Sequence, residues 1–322
     1  MLNSFIIKAS LIAAASLGMY AAHAADPYPN KPIRLVVGFT AGGPTDIPAR
    51  IIAEKLRAAT GQAVVVENKP GAGGKIALDY VLSQPRDGYS LLLCTYIDAT
   101  NTVLLKKPGY QLEDLAPISQ ITKAYYAFAV PASSPANDVT SFVVHAKSRA
   151  GELNYGHVGA GSMPELVAKR FEKAAGIKLT GVPYKGTSEA ARDLVAGRLD
   201  FMVSPMIVVL PHYEAKTVKY LGVTSPERLT AFPDVPTIAE QGFRIIDNGW
   251  LGVCAGSGVP ADIIDVLNRH VVAAVASPDY RSVVEKTGVI PSSSTPVELR
   301  RLMSETASDM SQLARDLGIN LD

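Results

Sequence analysis

Short apolar, β-branched runs alternate with amphipathic stretches along most of this chain, and that alternation restricts it to an α/β fold, a parallel sheet flanked by helices. The pattern predicts strands at Ile33–Gly38, Ala63–Glu67, Ser90–Thr95, Tyr125–Pro131, Leu153–Val158, Lys178–Tyr184, Phe201–Pro205, Val218–Thr224 and Trp250–Ala255, more than one sheet comfortably holds. Helical segments lie between them. Asp46–Ala58 carries Ile47, Ile51, Ile52 and Leu56 on one face, and Glu189–Ala196 is stopped by Gly197. After Trp250 the order changes, with one strand followed by helices at Ala261–Ala276, Pro278–Lys286 and Pro296–Leu317, read as folding back onto the first lobe. The chain is then expected to cross between lobes near Ile121–Pro131 and return near Gly242–Gly252. Two crossings make a hinge, with a ligand cleft at the C-terminal ends of the strands. No internal repeat is evident in the sequence.

Lys8 is the only charge in the first 24 positions, a mostly apolar run starts at Ala9, and Ala22-His23-Ala24 has the small-x-small pattern of a secretory cleavage site. A signal peptide over 1–24 is therefore expected; the alternative, a membrane anchor, needs an apolar core long enough for a bilayer of about 30 Å. Cleavage removes Lys8 and no acidic residue, which balances the charges almost evenly, since the whole chain has 31 basic and 30 acidic side chains. Near-neutrality without a basic run offers no footprint for nucleic acid. Cys94 and Cys254 are the only cysteines. In an oxidising compartment they form either a bridge or two buried thiols, and neither has a second ligand at metal-binding spacing.

Two stretches carry chemistry. In the first, Ile33-Arg34-Leu35-Val36-Val37 runs through Gly38-Phe39-Thr40-Ala41-Gly42-Gly43-Pro44-Thr45 into the helix from Asp46. A strand, a glycine turn and a helix start together make an anion cradle, because unpaired N–H groups and the helix dipole point at the ligand. Pro44-Thr45 stands where a phosphate-binding P-loop requires Lys and Ser or Thr, which disfavours nucleotides and leaves a carboxylate. Thr45 is equally readable as an N-cap and Asp46 as a first-turn charge. The second stretch, Leu153 to Leu166, repeats the arrangement through Gly156, Gly159 and Gly161, with Ser162 and Glu165 spaced as a capping box. Its glycines do not follow the dinucleotide-binding order.

Tyr28-Pro29-Asn30-Lys31-Pro32-Ile33-Arg34 through Asp46, then Glu67-Asn68-Lys69-Pro70-Gly71-Ala72-Gly73-Gly74, Val182-Pro183-Tyr184-Lys185-Gly186, Asp193-Leu194-x-x-Gly197-x-x-Asp200 and Pro233-Asp234-Val235-Pro236-Thr237-x-x-Glu240-x-Gly242 together resemble the TctC/Bug family, periplasmic receptors of tripartite tricarboxylate transporters. The resemblance spans the mature chain. It implies a type II, Venus-flytrap binding protein: lobe one from 25–124 and 248–322, lobe two from 125–247, with no cofactor and no metal. It also implies a small carboxylate ligand, permease subunits as partners, a periplasmic monomer, and no catalysis. Carried over position by position, it assigns Phe39, Thr40, Ala41, Gly43, Thr45 and Asp46 of lobe one, and Gly161, Ser162, Tyr184 and Asp200 of lobe two, to the ligand.

Other residues are open to two readings. Asp200 is a cleft residue or an ordinary strand start, and Tyr184 a ligand contact or a core aromatic. His157, at a strand end, reaches a distal ligand group or serves as a structural imidazole. Tyr96 lines a distal pocket or lies on an exposed loop; Asn68 reaches the cleft edge or organises the Pro70–Gly74 turn. The absence of clustered Arg near the cradles favours an aromatic, mono- or dicarboxylate over a tricarboxylate. A hydrolase is disfavoured because no G-x-S-x-G elbow surrounds a serine. A ligand-sensing receptor for a signalling partner needs the same closure and is the alternative to transport.

Overall fold

A computed structural model describes residues 28–159 and 162–318, so the 1–24 signal and Gly161 lie outside the described residues. From Lys31 on, the chain is one compact unit. It begins with β1 (Ile33–Val37), α1 (Asp46–Thr60), β2 (Val64–Asn68), α2 (Lys75–Leu82), β3 (Ser90–Thr95), α3 (Tyr96–Leu104) and the long β4 (Leu115–Pro131). There follow α4 (Val139–Ser148), β5 (Asn154–His157), α5 (Met163–Ala175), β6 (Thr180–Pro183), α6 (Thr187–Val195), β7 (Phe201–Pro205), α7 (Met206–Glu214) and β8 (Val218–Val223). The chain ends with β9 (Asn248–Gly256), α8 (Ala261–Ala276), α9 (Pro278–Glu285), β10 (Val289–Pro291) and α10 (Pro296–Asp316).

The fold is the two-lobed α/β binding-protein architecture. β4 is shared: Leu115 to Tyr125 pairs with β9, and Tyr126 to Pro131 pairs with β7 and β8. Lobe one has the order β2-β1-β3-β9-β4 and lobe two the order β6-β5-β7-β4-β8. The two orders are the same path walked twice, a repeat of topology that the sequence does not display. β1 and β5 are equivalent, as are α1 and α5, β3 and β7, and α3 and α7.

Register fixes where the strands end. β3 is antiparallel to β9, which is antiparallel to β4, so β1, β2 and β3 run with the first half of β4 toward the boundary at Tyr125 and Tyr126. β7 is antiparallel to the second half of β4, with Pro205 opposite Tyr126, and β5 and β6 run parallel to β7. Both lobes therefore aim their strand C-termini at the boundary, the place where α/β sheets bind ligands.

Three features depart from the sequence expectation. β4 starts at Leu115, not Tyr125, because register shifts at Pro117/Ser119 and Gln120/Thr122 break its alternation. β10 adds a second strand after Trp250, with Val289 opposite Ala124. The C-terminal helices do not all belong to lobe one. α10 buries Leu299 and Met303 beside Trp250 in the lobe-one core, whereas its Met310, Leu313 and Ala314 pack with Phe128, Phe142 and Phe171 of lobe two. The helix straddles the boundary.

The cysteines resolve to a bridge: Cys94 of β3 and Cys254 of β9 form a disulfide with Cα atoms 5.8 Å apart, and both side chains are fully buried.

Candidate functional site

The lobe-one turn is organised around one carboxylate. Asp46, buried in the first turn of α1, accepts from Gly42 N–H (2.8 Å), Arg50 Nε (2.7 Å) and Asn68 Nδ2 (2.8 Å). Asn68 Nδ2 also donates to the Phe39 carbonyl (3.0 Å), and its Oδ1 accepts from Arg50 Nη2 (3.1 Å). Burial works against the charge on Asp46, yet the bonds from Arg50, Gly42 and Asn68 hold its pKa below the ordinary carboxylate value. With these partners Asp46 and Asn68 shape the loop after β1, and Asn68 bonds to Phe39, Asp46 and Arg50 there.

What the loop presents is its backbone. Among the described residues, the N–H groups of Thr40, Ala41, Gly43 and Thr45 make no hydrogen bond, and Thr40 and Ala41 are exposed. Thr45 does not cap α1; its backbone is helical and its buried Oγ1 has no partner. An unpartnered buried hydroxyl is costly and uncommon. Close packing underlies the turn: a Cβ on Gly38 would stand 2.7 Å from the Gly74 Cα, so β1 leaves the sheet tight against the loop after β2. The Phe39 ring lies over Gly74.

Lobe two builds its turn differently. His157 ends β5, its imidazole is buried, and Nδ1 lies 3.3 Å from Gly159 N and 3.1 Å from Gly159 O. The Ser162 hydroxyl donates to the same Gly159 carbonyl (2.7 Å), joined by the Ser162 N–H (3.2 Å). Ser162 therefore occupies the N-cap position of α5 without capping it, and the expected box with Glu165 does not form.

Two further lobe-two expectations change. Asp200 accepts from the Asn154 N–H (2.8 Å), and Asn154 begins β5. That places Asp200 at the N-terminal end of the sheet, the end opposite the Gly159–Ser162 turn, so it is a strand-start residue. Tyr184 follows β6, but its ring packs against Gly156 and its hydroxyl donates to Asp193 Oδ2 (2.8 Å). Burial, then Asp193, pushes the Tyr184 phenol up to about 12.

Tyr96 is neither a loop residue nor free. It opens α3, packs against the cores of both lobes, and shares a hydrogen bond with the Tyr126 hydroxyl at the crossing. Beside it, Thr95 and Asp98 form a capping box: Thr95 N–H donates to Asp98 Oδ2 (2.7 Å) and Ile97 N–H to Thr95 Oγ1 (3.1 Å). The Thr95-x-x-Asp98 spacing was readable. Burial pushes Asp98 up to about 6.

The second crossing holds a node with no local signature. Asp247 accepts from Arg170 Nη1 with both oxygens (3.0 and 2.9 Å), while Thr224 donates its hydroxyl to the Asp247 carbonyl (2.6 Å) and its N–H to the Tyr126 carbonyl (2.9 Å). Residues far apart in sequence are joined there. No group of three or more His, Cys, Asp or Glu among the described residues is placed to hold a metal ion.

Known proteins resemble this chain in sequence and fold. The chain is 33% identical over 300 residues to a protein from the tcbD-tcbE intergenic region of Pseudomonas sp. strain P51, covering 92% of this chain and 89% of that one. It is 32% identical to protein BugT of Bordetella pertussis, covering 95% of each. Among solved structures, Rpa4515 of R. palustris with adipate superposes with a TM-score of 0.84 at 32% identity, over 91% of this chain and 99% of that one. The periplasmic binding protein BugD gives 0.81 at 30% (91% and 99%), and MatC from Rhodopseudomonas palustris with bound malate 0.78 at 28% (89% and 99%). Residues 48–319 match the model of the TctC family, and the chain belongs to these tripartite tricarboxylate transporter family receptors.

Proposed function

We propose that this protein captures a small organic carboxylate in the periplasm and delivers it, chemically unchanged, to the permease subunits of a tripartite tricarboxylate-type transporter. One observation carries the reading: two glycine turns at equivalent topological positions, after β1 and after β5, stand at strand C-termini that both lobes direct at their boundary. The Thr40, Ala41, Gly43 and Thr45 N–H groups and the Thr45 hydroxyl are the lobe-one donors. Ser162, with Gly161, is the lobe-two counterpart, its hydroxyl turning from the Gly159 carbonyl to the ligand. A hydrogen bond to a charged group contributes about 1.5–3 kcal/mol, enough for a few such donors to hold a carboxylate.

The arginine beside the lobe-one turn, Arg50, is committed to Asp46 and Asn68. With no guanidinium left there for bidentate pairing, a tricarboxylate is poorly matched. Relatives with adipate and malate, both dicarboxylates, support that choice. The test is a thermal-shift and calorimetric panel of malate, adipate, benzoate and citrate. A ligand at 100 times Kd adds about 2.7 kcal/mol of stability, and Thr45→Ala combined with Ser162→Ala should weaken binding while moving the unliganded Tm by only a few degrees. No shift with any of the four, or full affinity in the double variant, overturns the reading.

A further inference from the structure

α10 is a single rod attached to both lobes. Between Val297 and Asp316 it has no Gly or Pro, so nothing in its interior lets it kink. One stripe at helical spacing, Leu299, Met303, Thr306, Met310 and Leu313, changes partner along its length. Leu299 and Met303 sit in the lobe-one core, Met310 and Leu313 in the lobe-two core. The strands that cross between the lobes are less regular: β4 has register shifts short of the boundary, and β9 contains Gly249 and Gly252. When two lobes rotate about such a hinge, a straight rod fixed to both cannot follow both. One of its attachments has to slip.

The two attachments differ in kind. In lobe one, Trp250 Nε1 donates to Thr306 Oγ1 (3.0 Å) and Arg300 donates to the Leu112 and Leu115 carbonyls, beside the fully buried Leu299 and Met303. In lobe two the contact is apolar, Met310, Leu313 and Ala314 against the phenylalanine cluster, to which exposed Lys173 Nζ adds a bond to the Asp316 carbonyl (3.2 Å). Directional bonds fix a register, whereas apolar contacts and a flexible thioether let surfaces slide.

We propose that α10 is a strap that moves with lobe one, and that its grip on lobe two through Met310, Leu313 and Ala314 favours the separated lobes and so sets the affinity of the receptor. Built on the receptor reading above, the strap adds a control of closure that lies outside the cleft. Thr40, Ala41, Gly42 and Pro44 are exposed, so lobe two does not cover the lobe-one turn in this structure and the grip belongs to the separated lobes. Closure draws Met310 and Leu313 out of a packed site, and packed sites are discrete wells rather than a continuum. A receptor that closes only part of the time binds with its intrinsic affinity reduced by that fraction, so a looser grip gives tighter binding.

Spin labels on the intact receptor, taken in pairs, follow the three bodies: Ile76→Cys near the start of α2, Lys185→Cys after β6, and Gln312→Cys on α10, all exposed. Saturating malate should shorten the distance from label 76 to label 185 and change that from 185 to 312, leaving 76 to 312 as it was. Without ligand, Met310→Ala should shift the distances between 76 and 185 toward shorter values, and its calorimetric Kd for malate should tighten by about threefold. Met303→Ala, at the lobe-one end, should cost stability and leave both readings unchanged. Lys173→Gln loosens the grip from the surface with the same sign, and covers a Met310→Ala protein that does not fold. A 76-to-312 distance that moves with ligand, no shift in either loosened variant, or an equal shift in Met303→Ala overturns the strap. If malate, adipate and benzoate all fail to bind, the receptor reading itself fails. The ligand-free distances still report on the strap, so the two failures are distinguishable.

Discussion

The two lobes walk the same topological path, yet they secure it by opposite means. Lobe one ties β3 to β9 with a disulfide and locks the turn after β1 with an ionised carboxylate, Asp46, gripped by Arg50, Asn68 and Gly42. Lobe two has no bridge. It packs Phe128, Phe142, Phe171 and Phe201 into one cluster with ring centroids 4.8–6.2 Å apart and holds its turn with an imidazole and a hydroxyl. The shared requirement is a glycine turn that brings the backbone to a helix start at the strand C-terminus. Side chains that achieve it are interchangeable, which is why the repeat is visible in the strand order and not in the sequence.

The disulfide gives the largest expected effect. Its 160-residue separation encloses all of lobe two, so the bridge constrains the unfolded chain by about 5 kcal/mol in the loop-entropy picture. Cys94→Ser with Cys254→Ser should lower the free energy of urea unfolding by several kcal/mol. A loss below about 1 kcal/mol would show that lobe one is as self-sufficient as its aromatic counterpart.

Asp46→Ala comes next. It strands the Gly42 N–H and leaves Asn68 and Arg50 without their buried acceptor, costing about 2–4 kcal/mol together with much of the ligand affinity. The carboxylate also sets a pH limit. Its folded pKa lies below the ordinary aspartate value of about 3.9, so its contribution is present above that value and is lost as the pH falls through the lower folded one. Lobe one's turn should then be indifferent to pH between about 8 and 5. An unfolding profile in which Asp46→Ala removes stability at pH 7 but equally at pH 2 would break the contrast.

Helix starts at the equivalent positions after β3 and β7 offer a smaller test. α3 is closed by the Thr95–Asp98 box, whereas α7 follows Pro205 with no side-chain cap. Thr95→Ala should cost about 1–2 kcal/mol in urea unfolding. Asp98, raised to about 6, has the reverse sign from Asp46: the folded state binds its proton more readily, so this group's contribution falls as pH rises from about 4 to 6. Asp98→Asn, which keeps an acceptor for Thr95, should flatten that stretch of the Tm profile; an unchanged slope would remove Asp98 as its source.

Much of this was legible in the chain because apolar alternation reports which faces are buried, and the glycine turns report where the backbone must come close. The first half of β4 was not legible. Its buried Ser119, Gln120 and Thr122 interrupt the apolar run, and distant groups meet this stretch: Ser294 exchanges bonds with Ser119 and Gln120, and Asn268 Nδ2 donates to the Ile118 carbonyl. Periodicity cannot reveal a polar strand whose partners lie some 150 residues away. Asp200 is a different lesson. It precedes the Phe201–Pro205 strand, so its place at the far end of a parallel sheet was implied by the order of elements, and the family pattern alone pulled it into the cleft. The Arg170–Asp247 node needed the fold, since the two residues are 77 positions apart.

The smallest effect sharpens the comparison most. Ser162→Ala removes one hydroxyl that donates to a carbonyl already served by the Ser162 N–H, in a half-buried site, so it should cost less than about 1 kcal/mol of stability. Thr45→Ala should cost as little or even stabilise, because its hydroxyl has no protein partner to lose. If these two hydroxyls exist for the ligand, each variant must show its loss in Kd for malate and not in Tm. A Ser162→Ala protein that melts several degrees lower while binding malate normally would mean that the lobe-two turn is structural, and that the ligand is held by lobe one alone.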